Sequence, residues 1–384
     1  MDAGIYVHIP FCQAKCLYCS FNSQPLEPGL ADRYCVALVR EIGLWASGSA
    51  VPWKADTVYF GGGTPSALPA ARIAQILAAC REAVVMDGNA EVTLEANPGT
   101  LTADKLAAYR NAGVNRVSLG AQSFSDRDLA SLGRLHRASD IHRSLQLLTL
   151  CGFDNVSLDL MLGLPGQTAD GWQENLRELS SLGPGHASVY MLELEPCVPL
   201  YRALEEGEVS LPEEDEVADW YLETRNRLQD SGYRQYEISN FSRTGMQCRH
   251  NVKYWERVPV IGFGAGSHSF DGLRRYANEP DPLRYTQAVE AGRSPVCCSH
   301  ALTEDEKLEE TLFLGLRLTQ GLDWSCVERD SASPNLRTCE TILRGLAQRG
   351  LVEWDARRVR LTAEGMLLSN EVFQQIIHLS EHGL

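Results

Sequence analysis

No apolar run in this chain approaches the roughly 18 residues that a membrane-spanning helix needs, so an integral membrane span is excluded. A basic excess is also missing. The chain has 35 Lys+Arg against 50 Asp+Glu, for a net charge of −15. Polyanions reward clustered Lys and Arg, which argues against nonspecific nucleic-acid binding. No Lys or Arg precedes Lys15, so a signal peptide lacks its basic n-region and the expected address is cytoplasmic. Short solenoid-type repeats are absent. Disorder is excluded by composition, since 44% of the 384 residues are hydrophobic, enough for a large core. A length prior of roughly 150 residues per domain suggests two or three domains, and one barrel of about 250 residues plus a small unit fits as well.

What is present is an alternation of β-type and helical stretches. Strands are expected at Ile5–Ile9, Thr57–Phe60, Glu91–Glu95, Arg116–Leu119, Val156–Met161 and Ser188–Leu194. Helices are expected near 30–46, 69–85, 102–112, 138–151 and 168–181. Thr102 reads as an N-cap, and Gly113 and Gly152 read as stops. Six such units imply right-handed crossovers and a parallel sheet, closed or partial, whose functional loops sit at the strands' C-terminal ends. The unusual residues fall there. They are Pro10-Phe11-Cys12, Gly61-Gly62-Gly63-Thr64-Pro65, Glu95-Ala96-Asn97-Pro98, Gly120-Ala121-Gln122, and Asp159 followed by Gly163-Leu164-Pro165-Gly166. Five special strand ends in succession suggest one ring-shaped site.

After Pro196 the alternation weakens. The expected organisation is a barrel over 1–235, a connecting region over 236–300, and a C-terminal unit over 301–384. That unit reads as helices near 303–318 and 334–349, a hairpin within 351–361, and a further helix from about 362. Helices followed by a hairpin look like a winged helix. Arg337, Arg344, Arg349, Arg357, Arg358 and Arg360 would carry a DNA-binding reading, but Glu340, Glu353 and Asp355 dilute them. A solvated face on a capping domain is the better reading.

The 12 cysteines do not indicate a disulfide framework in a long cytosolic chain. Three of them form Cys12-x3-Cys16-x2-Cys19. Structural zinc wants four closed ligands, usually in two pairs. A fully protein-ligated iron–sulfur cluster also wants four cysteines. Three thiolates on a four-iron cluster leave one iron open, which explains the count and favours a cluster over zinc. His8 is an alternative fourth ligand, or a packed strand residue.

The stretch from Tyr6 to Phe21, YVHIPFCQAKCLYCSF, resembles the cluster loop of the radical S-adenosylmethionine (SAM) superfamily. It is most similar to the branch that holds oxygen-independent coproporphyrinogen III oxidases and heme chaperones. The resemblance extends over Gly61–Pro65, Glu95–Pro98, Gln122, Asp159–Pro165 and the C-terminal unit. It implies an α/β fold, a partial (β/α)6 radical SAM barrel with a C-terminal helical, winged-helix-like domain. It also implies a [4Fe–4S] cluster on Cys12, Cys16 and Cys19, with SAM on the open iron. Electron transfer into the SAM sulfonium can then release methionine and a 5′-deoxyadenosyl radical. The SAM residues it implies are Tyr6, Tyr18, Gly62, Gly63, Thr64, Glu95, Gln122, Arg134 and Asp159. The glycines would let backbone approach closely. Glu95 would accept from the ammonium or ribose, Arg134 would fork onto the carboxylate, and Gln122 and Asp159 would hold ribose hydroxyls. Taken singly, each of these four also reads as a structural group.

Within that branch, three features favour a heme chaperone. Phe21 stands where the oxidase motif has a fourth cysteine. Only 11 residues precede Cys12, leaving no room for the oxidase's N-terminal extension. His250-Asn251-Val252-Lys253-Tyr254-Trp255 matches the HNxxYW pattern of the chaperones. Imidazole is a standard heme ligand, so His250 is a candidate for heme contact, with Cys248 as the alternative and a bracing role as the plainer reading. The expected cofactors and partners are heme, heme-acceptor proteins and a low-potential electron donor such as a flavodoxin or ferredoxin, with room for peripheral membrane contact. Two other activities stay open, oxidative decarboxylation of coproporphyrinogen III and radical SAM methyl transfer. The run Gly262-Phe263-Gly264-Ala265-Gly266-Ser267-His268 resembles a segment that neighbours a second SAM in the oxidase, and its plainer reading is a tightly packed turn.

Overall fold

The computed structural model describes residues 2–48, 52–355 and 357–377. Six strands form one parallel series, β1 (Ala3–Ile9), β2 (Lys54–Gly62), β3 (Val85–Ala96), β4 (Arg116–Gln122), β5 (Asn155–Leu162) and β6 (His186–Met191). Their middles are buried on both faces, which is why they read as near-continuous apolar runs. Between them lie α1 (Pro28–Gly48), α2 (Ala70–Ala83), α3 (Ala103–Ala112), α4 (Asp126–Ser131), α5 (Ala138–Leu150) and α6 (Ala169–Leu182). The punctuation is as expected. The Thr102 hydroxyl accepts from the Lys105 amide at 3.2 Å, and Gly113 ends α3 in the left-handed region at φ 98°. Register brings the strand ends to one level. Ile9 pairs with Gly62, Glu95 with Ser118, and Gly120 with Asp159. The loops that follow therefore share one rim.

As far as Ala301, the strands that follow β6 join this sheet. β7 (Arg234–Gln235) and β8 (Asn240–Ser242) add antiparallel strands beside β6. β9 (Val260–Phe263) returns to pair parallel with the free side of β1. β10 (His268–Phe270), β11 (Arg274–Asn278) and β12 (Val296–Ala301) then continue as antiparallel strands. The spatial order is β12-β11-β10-β9-β1-β2-β3-β4-β5-β6-β8-β7, so the barrel is open. These late strands are only two to six residues long. That is too short for a clear period, which is why the alternation fades after Pro196.

The C-terminal unit has its own core, in which Leu312, Leu343, Val359 and Val372 are fully buried. Helices Glu304–Gly315 and Leu336–Gln348 pack with a small sheet of Leu322–Asp323, Val352–Trp354 and Arg358–Leu361. Two short helices, Ala363–Leu367 and Ser369–Ile377, follow. Polar contacts dock the unit on the barrel. Glu310 pairs with both Arg257 and Arg275, and the Arg317 guanidinium lies 4.4 Å from the Trp255 ring. Of the arginines on the expected basic face, Arg344 pairs with Glu340 and Arg360 with Glu353. Among the described residues no helix is long and apolar enough to cross a membrane.

Candidate cofactor site

β1 runs into Pro10, and Phe11–Cys12 then pairs with Gln24–Pro25, closing a loop that carries all three motif cysteines. The thiols of Cys12, Cys16 and Cys19 are free and half-buried. His8, only 6% exposed, clips the far end of the loop. Its Nε2 lies 2.9 Å from the Asn22 carbonyl, which can only accept, so Nε2 carries the proton. Nδ1 then accepts from the Tyr6 hydroxyl at 3.0 Å. Both nitrogens are spent, so the expectation that His8 could serve as a fourth ligand is corrected: it anchors the loop instead. The Asn22 amide donates in turn to the carbonyls of Pro280 at 2.9 Å and Ala265 at 3.3 Å. This closure explains the glycine run. A Cβ on Gly264 would lie 2.7 Å from the His8 carbonyl, and one on Gly266 would overlap the Asn22 amide.

The rim around the loop is polar. The Thr64 hydroxyl donates to Cys12 Sγ at 3.4 Å, and Arg134 Nη1 to Cys16 Sγ at 3.6 Å. Donors aimed at sulfur suit thiolates. Arg134 Nη2 also donates to Asn97 Oδ1 at 2.7 Å and to the Gly120 carbonyl at 2.6 Å. Asn97 Nδ2 donates to Thr64 Oγ1 at 2.8 Å, which makes Asn97 the hinge between the two. Among the described residues no three His, Cys, Asp or Glu groups converge on a single metal ion. Three thiols with no fourth protein ligand beside them fit a cluster that keeps one iron open better than a closed zinc site.

Glu95 accepts from the Tyr59 hydroxyl at 2.7 Å and from the Gly62 amide at 3.2 Å. Burial raises its pKa to about 7. Gly62 sits at φ 107°, and a Cβ there would overlap the His8 ring. A Cβ on Gly63 would lie 2.8 Å from the Phe11 carbonyl. Gln122 adopts φ 67° at a register shift in β4, and its amide lies beside Gly120 and Arg134. Asp159 is reached by the hydroxyls of Ser118, Ser157 and Ser188 at 3.0, 3.1 and 2.7 Å. Tyr6 stacks on Tyr59 with ring centroids 6.3 Å apart, and Tyr18 packs against the Leu132, Met161, Leu164 and Leu200 cluster. A shallow cleft lined by Cys16, Thr64, Asn97, Thr100 and Arg134 opens over the loop. A larger cavity of about 310 Å³ lies at the C-terminal unit, between Arg257 and Cys326, and none of these residues lines it. The donor chemistry is at the strand ends, so the site is placed there.

His250 is not at the rim. Helix Arg249–Trp255 lies against β1 and β2, and the His250 ring is 1% exposed. Nδ1 is 2.9 Å from the Thr57 hydroxyl, and Nε2 is 3.1 Å from the Tyr254 hydroxyl. The ring stacks on Tyr59 with centroids 5.2 Å apart, and burial lowers its pKa to about 3. In this arrangement it offers no lone pair to an external iron, so the expected heme contact gives way to a bracing role. Cys248 is fully buried beside Glu91, and burial pushes its thiol up to about 12.

The sequence reading missed Tyr59, Asn97 and Asn22. Asn97 lies within the Glu95–Pro98 stretch and had a signal in its strand-end position. Tyr59 reads only as a strand residue, and Asn22 acquires its role through partners more than 240 positions away.

Residues 6–179 match the Radical SAM superfamily, and residues 302–368 match the HemN C-terminal domain. Heme chaperone HemW of Bacillus subtilis (strain 168) is 35% identical over 369 residues, covering 96% of this chain and 97% of its own length. Heme chaperone HemW of Synechocystis sp. is 38% identical over 335 residues, covering 85% and 80%. Among solved structures, coproporphyrinogen III oxidase (HemN) from Escherichia coli superposes with a TM-score of 0.84 at 25% identity. That match covers 98% of this chain and 90% of the oxidase.

Proposed function

We propose, from the premise that this chain belongs to the radical SAM superfamily and to its HemW family, that it binds heme and hands it to an acceptor protein. The observation that carries this reading is similarity along nearly the full length to proteins named heme chaperone HemW. Phe21 adds support. It is 68% exposed on the cluster loop, where the resemblance puts a cysteine in the oxidases.

Membership of the superfamily implies a [4Fe–4S] cluster and SAM. When bound, the cluster supplies electrons to the SAM sulfonium. In this reading Cys12, Cys16 and Cys19 hold the irons, with Thr64 and Arg134 stabilising the thiolates of Cys12 and Cys16. Arg134, fixed beside Cys16 by Asn97 and Gly120, takes the SAM carboxylate. Glu95, positioned by Tyr59 and the Gly62 amide, takes the ammonium. Gly62 and Gly63 keep the backbone close, while Tyr6 and Tyr18 pack the walls. Gln122 and Asp159 would hold the ribose hydroxyls. The buried, doubly bonded His250 supports a bracing role for the HNxxYW segment. The partners are heme, a heme-accepting protein, and a flavodoxin or ferredoxin as electron donor.

The test is retention of heme by protein reconstituted anaerobically. About one heme per chain is expected to survive gel filtration, with a Soret band distinct from that of free hemin. Elution without heme would defeat the reading. The oxidase reading has one favouring observation, the TM-score of 0.84 to HemN.

A further inference from the structure

Nine histidines occur in the chain, and His378 and His382 lie outside the described residues. An axial heme ligand needs an exposed ring with a nitrogen lone pair to spare. His8, His186 and His250 are buried with both ring nitrogens engaged. His136 is buried and bonded to the Ala121 carbonyl. His142 is paired with Glu178, and His300 with Glu306. Those two use Nε2 only, which leaves Nδ1 open, so what sets His268 apart is that neither of its nitrogens is engaged and that it stands beside the cluster loop. His268 is exposed, and among the described residues no hydrogen bond or ion pair engages its ring.

Its place in the fold is the second observation. His268 opens β10 directly after the glycine run whose Gly264 and Gly266 pack against His8 and Asn22 at the closure of the cluster loop. His268 pairs with Ala277 on β11, and Ala277 with Cys298 on β12. Directly paired residues present side chains on one face, so an imidazole and an exposed thiol stand about 10 Å apart across two strand spacings, with only a methyl group between them.

We propose that His268 ligates heme iron at the rim of the barrel, beside the cluster loop. This assignment rests on the heme-binding reading above and goes beyond it by naming the ligand. Iron takes the free imidazole nitrogen, and no bond within the protein has to break to release it. Cys298 is the competing ligand in the same row.

The test is a hemin titration of anaerobically reconstituted wild type, His268→Ala, His268→Met and Cys298→Ala, read by the Soret band and by electron paramagnetic resonance. Iron–sulfur content and melting temperature serve as controls. His268→Ala is expected to weaken heme binding by at least about tenfold, since even a group that only supports a metal ligand is worth roughly that much. His268→Met is expected to shift the Soret maximum, which loss of a merely structural residue would not do. Cys298→Ala is expected to match wild type. Wild type that binds heme alongside a His268→Ala variant of unchanged affinity and spectrum would overturn the assignment and leave the heme reading standing. Loss of the wild-type spectrum in Cys298→Ala alone would give the iron to sulfur and also overturn it. Wild type that binds no heme would defeat the heme reading itself.

Discussion

Glu95 should give the site a pH signature. Its folded pKa of about 7 lies above the ordinary 4.5, because burial disfavours the charged form. A raised carboxyl pKa means that stability is full below the unfolded value and is lost as pH rises through the folded one. Apo protein should therefore lose stability between about pH 4.5 and 7. Glu41 is raised to about 7 by the same cause and adds to that fall. Glu95→Gln should remove part of the slope in chemical denaturation, and an unchanged slope would assign the whole effect to Glu41 and other groups. SAM brings an ammonium, which favours the ionised carboxylate. SAM binding below pH 7 should release a proton through Glu95, measurable by calorimetry in buffers of different ionisation enthalpy. Arg134→Ala should lower SAM affinity by roughly tenfold to a hundredfold, as expected for a charge-assisted contact of about 1.5–3 kcal/mol. Iron content should stay close to wild type, and unchanged SAM affinity would remove Arg134 from the site. At this scale the local signals were legible. Three cysteines within eight positions and a glycine pair at a strand end announce themselves. Tyr59 does not, because its value lies in Glu95, a partner on another strand, and Asn97 shows only its strand-end position and not its link between Arg134 and Thr64.

The elements show the same division. β1 to β6 and five of the helices between them were readable from their periods and, at α3 and α6, their caps and stops, whereas the six-residue α4 was not, being too short for a period. β9 was not, because four residues give no period and its partner, β1, lies some 250 positions earlier. The HNxxYW helix illustrates the cost. Its sequence offers an imidazole, and only the fold reveals that Thr57 and Tyr254 have claimed both nitrogens. His250→Ala should therefore destabilise the barrel by about 2–4 kcal/mol, from a cavity and two unpaired hydroxyls. The folded fraction should keep its heme spectrum. A lost Soret band at unchanged stability would restore His250 as a ligand. Gly63→Ala makes a complementary test, since its Cβ would meet the Phe11 carbonyl at 2.8 Å. A cost of about 1–3 kcal/mol is expected from such overpacking. Weaker cluster retention under chelator should accompany it, and wild-type retention would detach this glycine from the loop.

On the scale of the whole molecule, the barrel and the C-terminal unit have separate cores that meet through apolar contacts of Ile238 and Leu367, a backbone bridge between Glu237 and Leu318, and ion pairs. Glu310 holds two arginines of the barrel side, Arg257 and Arg275. Glu310→Ala should leave both cations uncompensated and uncouple the units, visible as an earlier first transition in a thermal melt. A single unshifted transition would show that docking does not depend on this carboxylate. The return of the chain to β1 was not legible in the sequence, because the pairing strands are short and distant in the chain. The central claim is that this architecture carries heme and does not decarboxylate a porphyrinogen. Its most direct test offers anaerobically reconstituted protein hemin, and separately coproporphyrinogen III with SAM and reductant. Stable heme binding with no protoporphyrinogen formed is the expected result. Protoporphyrinogen accumulating with turnover, from a protein that does not retain heme, would contradict it.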